Sequence, residues 1–139
     1  MRMRMSDTLQ HALCLYKRQE NGVHKFTFRV ASPAAVDEWF EIMCAIAELT
    51  MEDETVRLMI VNKQSDMLPM NHMLNRSREL LMRLPERANL RTAVLYNPGE
   101  LGTLAESFAR LMRSEQRDKV RFFPGEVQDE AAAWLMAED

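Results

Sequence analysis

The nearly unbroken apolar run over residues 55–61 constrains the fold of this chain more than any other feature. Short runs rich in aliphatic residues, without polar alternation, are typical of strands that are covered on both faces. Such strands belong to parallel sheets, whose crossover connections carry helices. The run therefore predicts a parallel sheet with helices packed on it.

A β-hairpin is predicted ahead of this strand. The pattern over residues 11–18 ends in Gln19-Glu20-Asn21-Gly22, and a second strand pattern follows over residues 23–30. Asn-Gly between two strand patterns is a strong hairpin signal. Because side chains alternate along a strand, His24, Phe26, Phe28 and Val30 share one face, which we expect to meet the core. The two strands are predicted to pair antiparallel.

Helical patterns alternate with strand patterns after the hairpin. Ser32-Pro33 predicts an N-cap and a proline in the first helical position, and the apolar spacing continues to Thr50. The later segments are a helix from Pro69 to Pro85, a strand over 91–96, a helix over 101–112, a strand over 119–123 and a last helix with Val127, Ala131, Trp134 and Leu135. The order ββαβαβαβα predicts an α/β fold with a single mixed sheet of about five strands and helices packed on it.

Composition is that of one globular domain. A chain of 139 residues suits a single core, and we predict an N-terminal tail over residues 1–10 followed by one domain over 11–139. The alternating Met and Arg at the N-terminus lack the apolar run of a signal peptide, and no stretch approaches the roughly 20 apolar residues of a membrane span. We therefore expect a cytoplasmic protein without a transmembrane segment.

Cys14 and Cys44 lack zinc-site spacing and are expected to be buried thiols.

Charge is distributed unevenly along the chain, although the net charge is only −3. Residues 70–122 are rich in arginine, and residues 123–139 contain five acidic and no basic side chains. Glutamates lie on the same segments as the arginines, and a nucleic-acid patch would need a stronger basic excess with interleaved aromatic residues. Solvated helix faces are therefore favoured, and no nucleic-acid partner is expected. An anion-binding surface is the alternative. The 12 Met indicate a flexible core filling, with an adaptable hydrophobic binding surface as the alternative.

The order of elements resembles that of STAS domains, the fold of bacterial anti-sigma-factor antagonists. Val120-Arg121-Phe122-Phe123, a short turn, and Glu130-Ala131-Ala132-Ala133-Trp134-Leu135 look like the closing strand and helix of SpoIIAA-like (STAS/SEC14-type) bacterial proteins, with residues 91–96 as the preceding strand. The resemblance implies a non-catalytic regulatory or protein-interaction module, commonly a homodimer. Its SEC14-type side and the Met-rich second helix imply the alternative, a carrier of a lipid or small apolar ligand.

The resemblance also implies where a site would lie. In the antagonists, a phosphorylated serine lies between the third strand and the second helix, and here that stretch reads Asn62-Lys63-Gln64-Ser65-Asp66-Met67-Leu68-Pro69, without glycine. Ser65 is thus the candidate phosphosite, and an unmodified loop serine is the alternative. Ligands of open α/β sheets bind at the carboxyl ends of the strands, where residues 97–102 should also emerge. The candidate ligand or partner residues are Asn62, Ser65, Asp66, Asn97 and Gly99.

The three histidines, His11, His24 and His72, lie on different predicted elements. His24 falls on an apolar strand face and is expected to be a core histidine with its hydrogen bonds satisfied. His72 opens the second helix and can bind an anion or donate a proton, but the sequence reveals no partner for it. Neither an activated nucleophile, metal-ligand spacing nor a phosphate-binding glycine loop can be recognised. We therefore expect no catalytic residue, metal or cofactor, and no enzymatic activity.

Overall fold

A computed structural model describes residues 12–62, 68–96 and 119–137. The elements within these residues are β1 (Cys14–Arg18), β2 (His24–Phe28), α1 (Pro33–Leu49), β3 (Thr55–Asn62), α2 (Met70–Arg83), β4 (Asn89–Tyr96), β5 (Lys119–Pro124), a 3-10 turn (Gly125–Val127) and α3 (Gln128–Met136). The predicted tail over residues 1–10 and the predicted helix over 101–112 lie outside the described residues.

All five strands belong to one mixed sheet, in which the spatial order β1-β2-β3-β4-β5 follows the chain. β1 pairs antiparallel with β2, and the other three pairings are parallel. The predicted α/β class, the five-stranded mixed sheet and the helices packed on it are confirmed, and the arrangement is consistent with a STAS-like fold.

Helices cover both faces of the sheet. On one face, α1 and α2 contact each other and enclose a core that includes Phe26, Leu58 and Ile60. On the other face, α3 packs against β3, β4 and β5 over a smaller core that contains Met59 and Leu95. Successive residues of β3 thus enter opposite cores, which is why its sequence is apolar without alternation.

The turn of the hairpin depends on one glycine. The N–H of Gly22 donates to the carbonyl oxygen of Gln19 at 2.9 Å, and Gly22 has a φ of 89°. No non-glycine residue of the described chain has a positive φ, so Asn21 keeps an ordinary backbone and Gly22 alone takes the left-handed conformation. The predicted antiparallel pairing is confirmed, but β2 ends at Phe28 and Val30 is exposed rather than in the core.

The start of α1 follows the predicted capping chemistry. Ser32 Oγ accepts from the N–H of Ala35 at 3.2 Å, and Pro33 takes the first helical position, where its missing N–H costs nothing. At the other end of α1, Thr50 Oγ1 donates to the carbonyl oxygen of Ile46. Pro69 is the N-cap of α2.

Within the described residues, no helix combines the length and the apolar character that crossing a membrane requires.

Candidate functional site

The first turns of α1 and α2 lie at the carboxyl edge of the parallel strands, because each helix runs back across the sheet after its strand ends. Asn62, the last residue of β3, lies at the same edge and is buried. The other predicted site residues, Ser65, Asp66, Asn97 and Gly99, fall outside the described residues, and so does the phosphosite prediction. Of the described residues next to the end of β3, Asn62 and the two helix starts are therefore the ones that can contribute to a site at this edge.

Asp37 of α1 joins the two helices at this edge. Its Oδ1 accepts from Nε of Arg76 at 2.9 Å and lies 2.7 Å from Nε2 of His72, and both of these residues belong to α2. The side chains of Asp37, His72 and Arg76 are 43%, 33% and 29% exposed, so the cluster faces solvent. The hydrogen bond from His72, together with Arg76, holds the pKa of Asp37 below its usual value.

The charged contacts continue along α2 away from this edge. Glu79 accepts from Arg76 at 3.1 Å and from Arg83 at 2.8 Å, at the i,i+3 and i,i+4 spacings that place side chains on one helix face. The guanidinium carbons of Arg76 and Arg83 lie 4.6 Å and 5.4 Å from the ring centroid of Phe40 on α1. Charged side chains therefore line the seam between α1 and α2, with an aromatic ring beneath them.

Both thiols are buried, as predicted. Cys44 lies under the same seam, 3.7 Å from a terminal nitrogen of Arg83, and burial raises its pKa despite that neighbour. Cys14 lies at the start of β1, where burial and the nearby carboxylate of Glu38 raise its pKa to about 12. A reactive cysteine needs a depressed pKa, so neither thiol is prepared for nucleophilic chemistry.

In the Asp37–His72 pair, a carboxylate contacts an imidazole, as it does where a carboxylate orients a catalytic histidine. Such a histidine acts as a general base only if a hydroxyl, a thiol or a substrate group lies within hydrogen-bond reach of it. Within residues 12–62, 68–96 and 119–137, no hydroxyl or thiol is hydrogen-bonded to His72, and no three His, Cys, Asp or Glu side chains form a potential metal site. The arrangement found is a fixed, solvent-facing set of charges on two packed helices. Such a set can recognise a complementary surface.

The other described histidine, His24, is half-buried rather than enclosed in the core. Its Nδ1 lies 2.7 Å from the hydroxyl oxygen of Tyr16, and the two rings stack. Burial and the neighbouring Arg18 lower its pKa. The predicted hydrogen bond of His24 is confirmed, but the residue lies at the margin of the core, where its partner Tyr16 belongs to the edge strand β1.

A second charged feature holds α3 on the sheet. Arg91 of β4 donates from Nε at 3.0 Å and from a terminal nitrogen at 2.7 Å to the carbonyl oxygen of Trp134, and its guanidinium lies 4.1 Å from the Trp134 ring centroid. Arg57 of β3 donates from Nε to the carbonyl oxygen of Leu135 at 2.7 Å. Arg57 and Arg91 are cross-strand partners, so the pair places two cations at the negative end of the helix dipole.

Sequence reasoning missed Asp37, Arg57 and Arg91. Asp37 lies off the apolar stripe of α1, and the sequence gives no sign that it is the partner of His72. For Arg57 and Arg91, the only sign in the sequence of a structural role is that each is a charged residue near the start of a largely apolar strand. A basic residue in a buried strand demands a hydrogen-bond acceptor, and here the acceptors are the last carbonyls of α3.

Comparison of the chain with protein-family models, with curated proteins and with solved structures finds no match. The resemblance to STAS domains therefore depends on the order of the elements and on the closing strand and helix.

Proposed function

We propose that this protein is a non-catalytic regulatory or interaction module of the STAS type, which works in the cytoplasm as a homodimer and binds a protein partner. The proposal is supported by the element order and by a sheet whose strands lie side by side in chain order. A module of this kind presents fixed surfaces to partners and needs no reactive group.

The observation that carries the proposal is the Asp37–His72–Arg76 cluster. Three charged or polar side chains are fixed by contacts of 2.7–2.9 Å, yet each is 29–43% exposed. Fixed charges on a rigid scaffold favour specific association, because little side-chain entropy is lost when a partner binds. The cluster also lies at the edge where the resemblance implies partner binding.

The proposal is tested by affinity capture from native cells with tagged wild-type protein and two variants, Arg76→Ala and Asp37→Asn. A matched control is Arg78→Ala, which removes an exposed arginine from the same helix, two residues away. We expect wild type and Arg78→Ala to retain one specific protein and both cluster variants to lose it. Circular dichroism verifies that each variant is folded. Equal capture by all four proteins would contradict a role of the cluster.

Native mass spectrometry separates this proposal from an apolar-ligand carrier. An interaction module gives a dimer mass equal to twice the mass of the chain. A carrier retains an added non-protein mass that is released by organic solvent. Detection of that mass, with no captured protein, would overturn the interaction proposal and favour the carrier.

A further inference from the structure

All charged residues of the strands, His24 aside, are basic. They are Lys17, Arg18, Lys25, Arg57, Arg91, Lys119 and Arg121. None of the five strands contains Asp or Glu, although acidic residues outnumber basic ones in the chain as a whole. The sheet therefore carries positive charge that its own strands do not balance.

Strand register places most of this charge on the face that carries α3. Lys17 pairs with Lys25, Lys25 with Met59, Met59 with Ala93 and Ala93 with Arg121, so these residues form one row across the sheet. Met59 and Ala93 belong to the core beneath α3. Paired residues share a face, and Lys17, Lys25 and Arg121 therefore lie on the α3 side.

The pairing of Lys17 with Lys25 opposes stability. Like charges directly opposite each other on neighbouring strands repel, and in the part of the chain that the structure describes neither lysine has an ion pair. Lys17 is exposed and Lys25 is half-buried. Because α3 packs on β3, β4 and β5, the two lysines lie beside the helix on the remaining part of the same face.

The start of α3 has the opposite charge. Glu126, Asp129 and Glu130 are exposed, and no ion pair joins them to another described residue. Residues 123–139 contain five acidic and no basic side chains. One face of the molecule thus has a basic half on β1 and β2 and an acidic helix next to it.

We propose that two copies of this chain associate through this face, with α3 of each copy on the β1–β2 half of the other. The acidic residues Asp129 and Glu130 of one copy then meet Lys17 and Lys25 of its partner. This inference rests on the homodimer of the proposed function and assigns its interface. A two-fold axis parallel to the strands generates both contacts at once, so the association closes at a dimer.

The dimensions agree with this arrangement. Two strands span about 10 Å at 4.8 Å spacing, which matches the roughly 10 Å diameter of a helix. Leu135 contacts Arg57, and Glu130 lies five residues earlier in α3, about 7.5 Å along the helix. Two residues of strand separate Arg57 from Met59, about 7 Å. Glu130 is therefore level with the Lys17–Lys25 row, and a two-fold axis parallel to the strands preserves that level.

The sheet surface of the β1–β2 half also provides apolar contact. Leu15 pairs with Thr27 and Thr27 with Val61, and these three residues form the next row on the same face. All three are half-buried, so a helix that lies over them removes further apolar surface from water. Charge then fixes the partner and its orientation, while burial contributes to affinity.

A charge-swap experiment tests the interface by sedimentation equilibrium. The basic half is reversed in K17E/K25E and the acidic helix in D129K/E130K. We expect each variant alone to raise the dimer dissociation constant about 100-fold, because four opposite-charge contacts per dimer become repulsive. An equimolar mixture of the two restores dimers, because every contact in the heterodimer again joins opposite charges. R78E is the matched reversal on the other face and leaves the constant unchanged.

One further variant covers a folding failure, and the wild-type protein separates failure of the interface from failure of the homodimer. If D129K/E130K fails to fold, D129N/E130Q still removes the acidic charge, and we expect about a tenfold weaker dimer. A wild-type dimer that is unaffected by K17E/K25E overturns this interface and leaves the homodimer intact. A wild-type monomer at every soluble concentration overturns the homodimer as well, while partner capture through Asp37 and Arg76 is decided by its own experiment.

Discussion

Replacement of Arg91 by methionine should loosen α3 and destabilise the whole domain. Arg91 is 6% exposed and donates two hydrogen bonds to the carbonyl oxygen of Trp134. Methionine keeps much of the apolar stem but provides no donor. The variant therefore isolates the guanidinium group from the packing of its methylenes.

The expected loss follows from three contributions that partly overlap. Hydrogen bonds from a charged donor contribute about 1.5–3 kcal/mol, a cation at the end of a helix dipole up to about 2 kcal/mol, and the stacking on Trp134 about 0.5–1 kcal/mol. Because the first two describe the same contact, we expect a total near 3 kcal/mol. For a chain of this size, that loss lowers Tm by roughly 10 °C.

Urea unfolding followed by circular dichroism, at one protein concentration, measures this loss. Arg57→Met, which removes one hydrogen bond from a half-buried side chain, should cost about 1 kcal/mol, and Arg78→Ala on the exposed face of α2 less than about 0.5 kcal/mol. Hydrogen exchange should show the amides of α3 losing protection first in Arg91→Met. If Arg91→Met costs no more than Arg78→Ala, the contact with Trp134 does not hold the helix.

Three further variants probe other parts of the domain. Trp39 Nε1 is buried and has no acceptor among the described residues, so Trp39→Phe should leave the urea midpoint unchanged or raise it, and a loss above about 2 kcal/mol would contradict this. Asp37 has a lowered pKa in the folded state, so its stabilising contribution is full above pH 3.8 and is lost as pH falls below it. Asp37→Asn should therefore flatten the acid limb of stability against pH, and an unchanged limb would refute the contact. Gly22→Ala should cost about 1 kcal/mol in thermal unfolding, because alanine disfavours a φ of 89° while its Cβ meets no atom within 4 Å; a neutral result would mean that the turn changes shape.

The fold was predictable because its determinants are local. Asn21-Gly22 predicts the turn, Ser32-Pro33 predicts the start of α1, and the apolar run of β3 predicts a strand covered on both faces. Each signal is read from residues that are close together in the sequence. The end of β2 was placed two residues too late because Val30 continues the alternation, although the chain bends there towards α1.

The candidate site was less predictable because its contacts join distant residues. Asp37 meets His72 and Arg76 only because α1 and α2 pack side by side, and that packing depends on the crossover geometry rather than on either helix alone. The contact of Arg57 with Leu135 spans 78 positions. Periodicity identifies which residues leave the apolar stripe, but it does not identify which of them meet.

The attachment of α3 to the two arginines has a consequence for synthesis on the ribosome. α3 follows all five strands in the chain, and it covers the face that contains Met59 and Leu95. Until residues 128–136 have left the exit tunnel, that apolar face lacks its cover and is open to contact with chaperones or with other nascent chains. Arg57 and Arg91 are synthesised before α3, so their donors are already available to the carbonyl oxygens of Leu135 and Trp134 when α3 packs on the sheet.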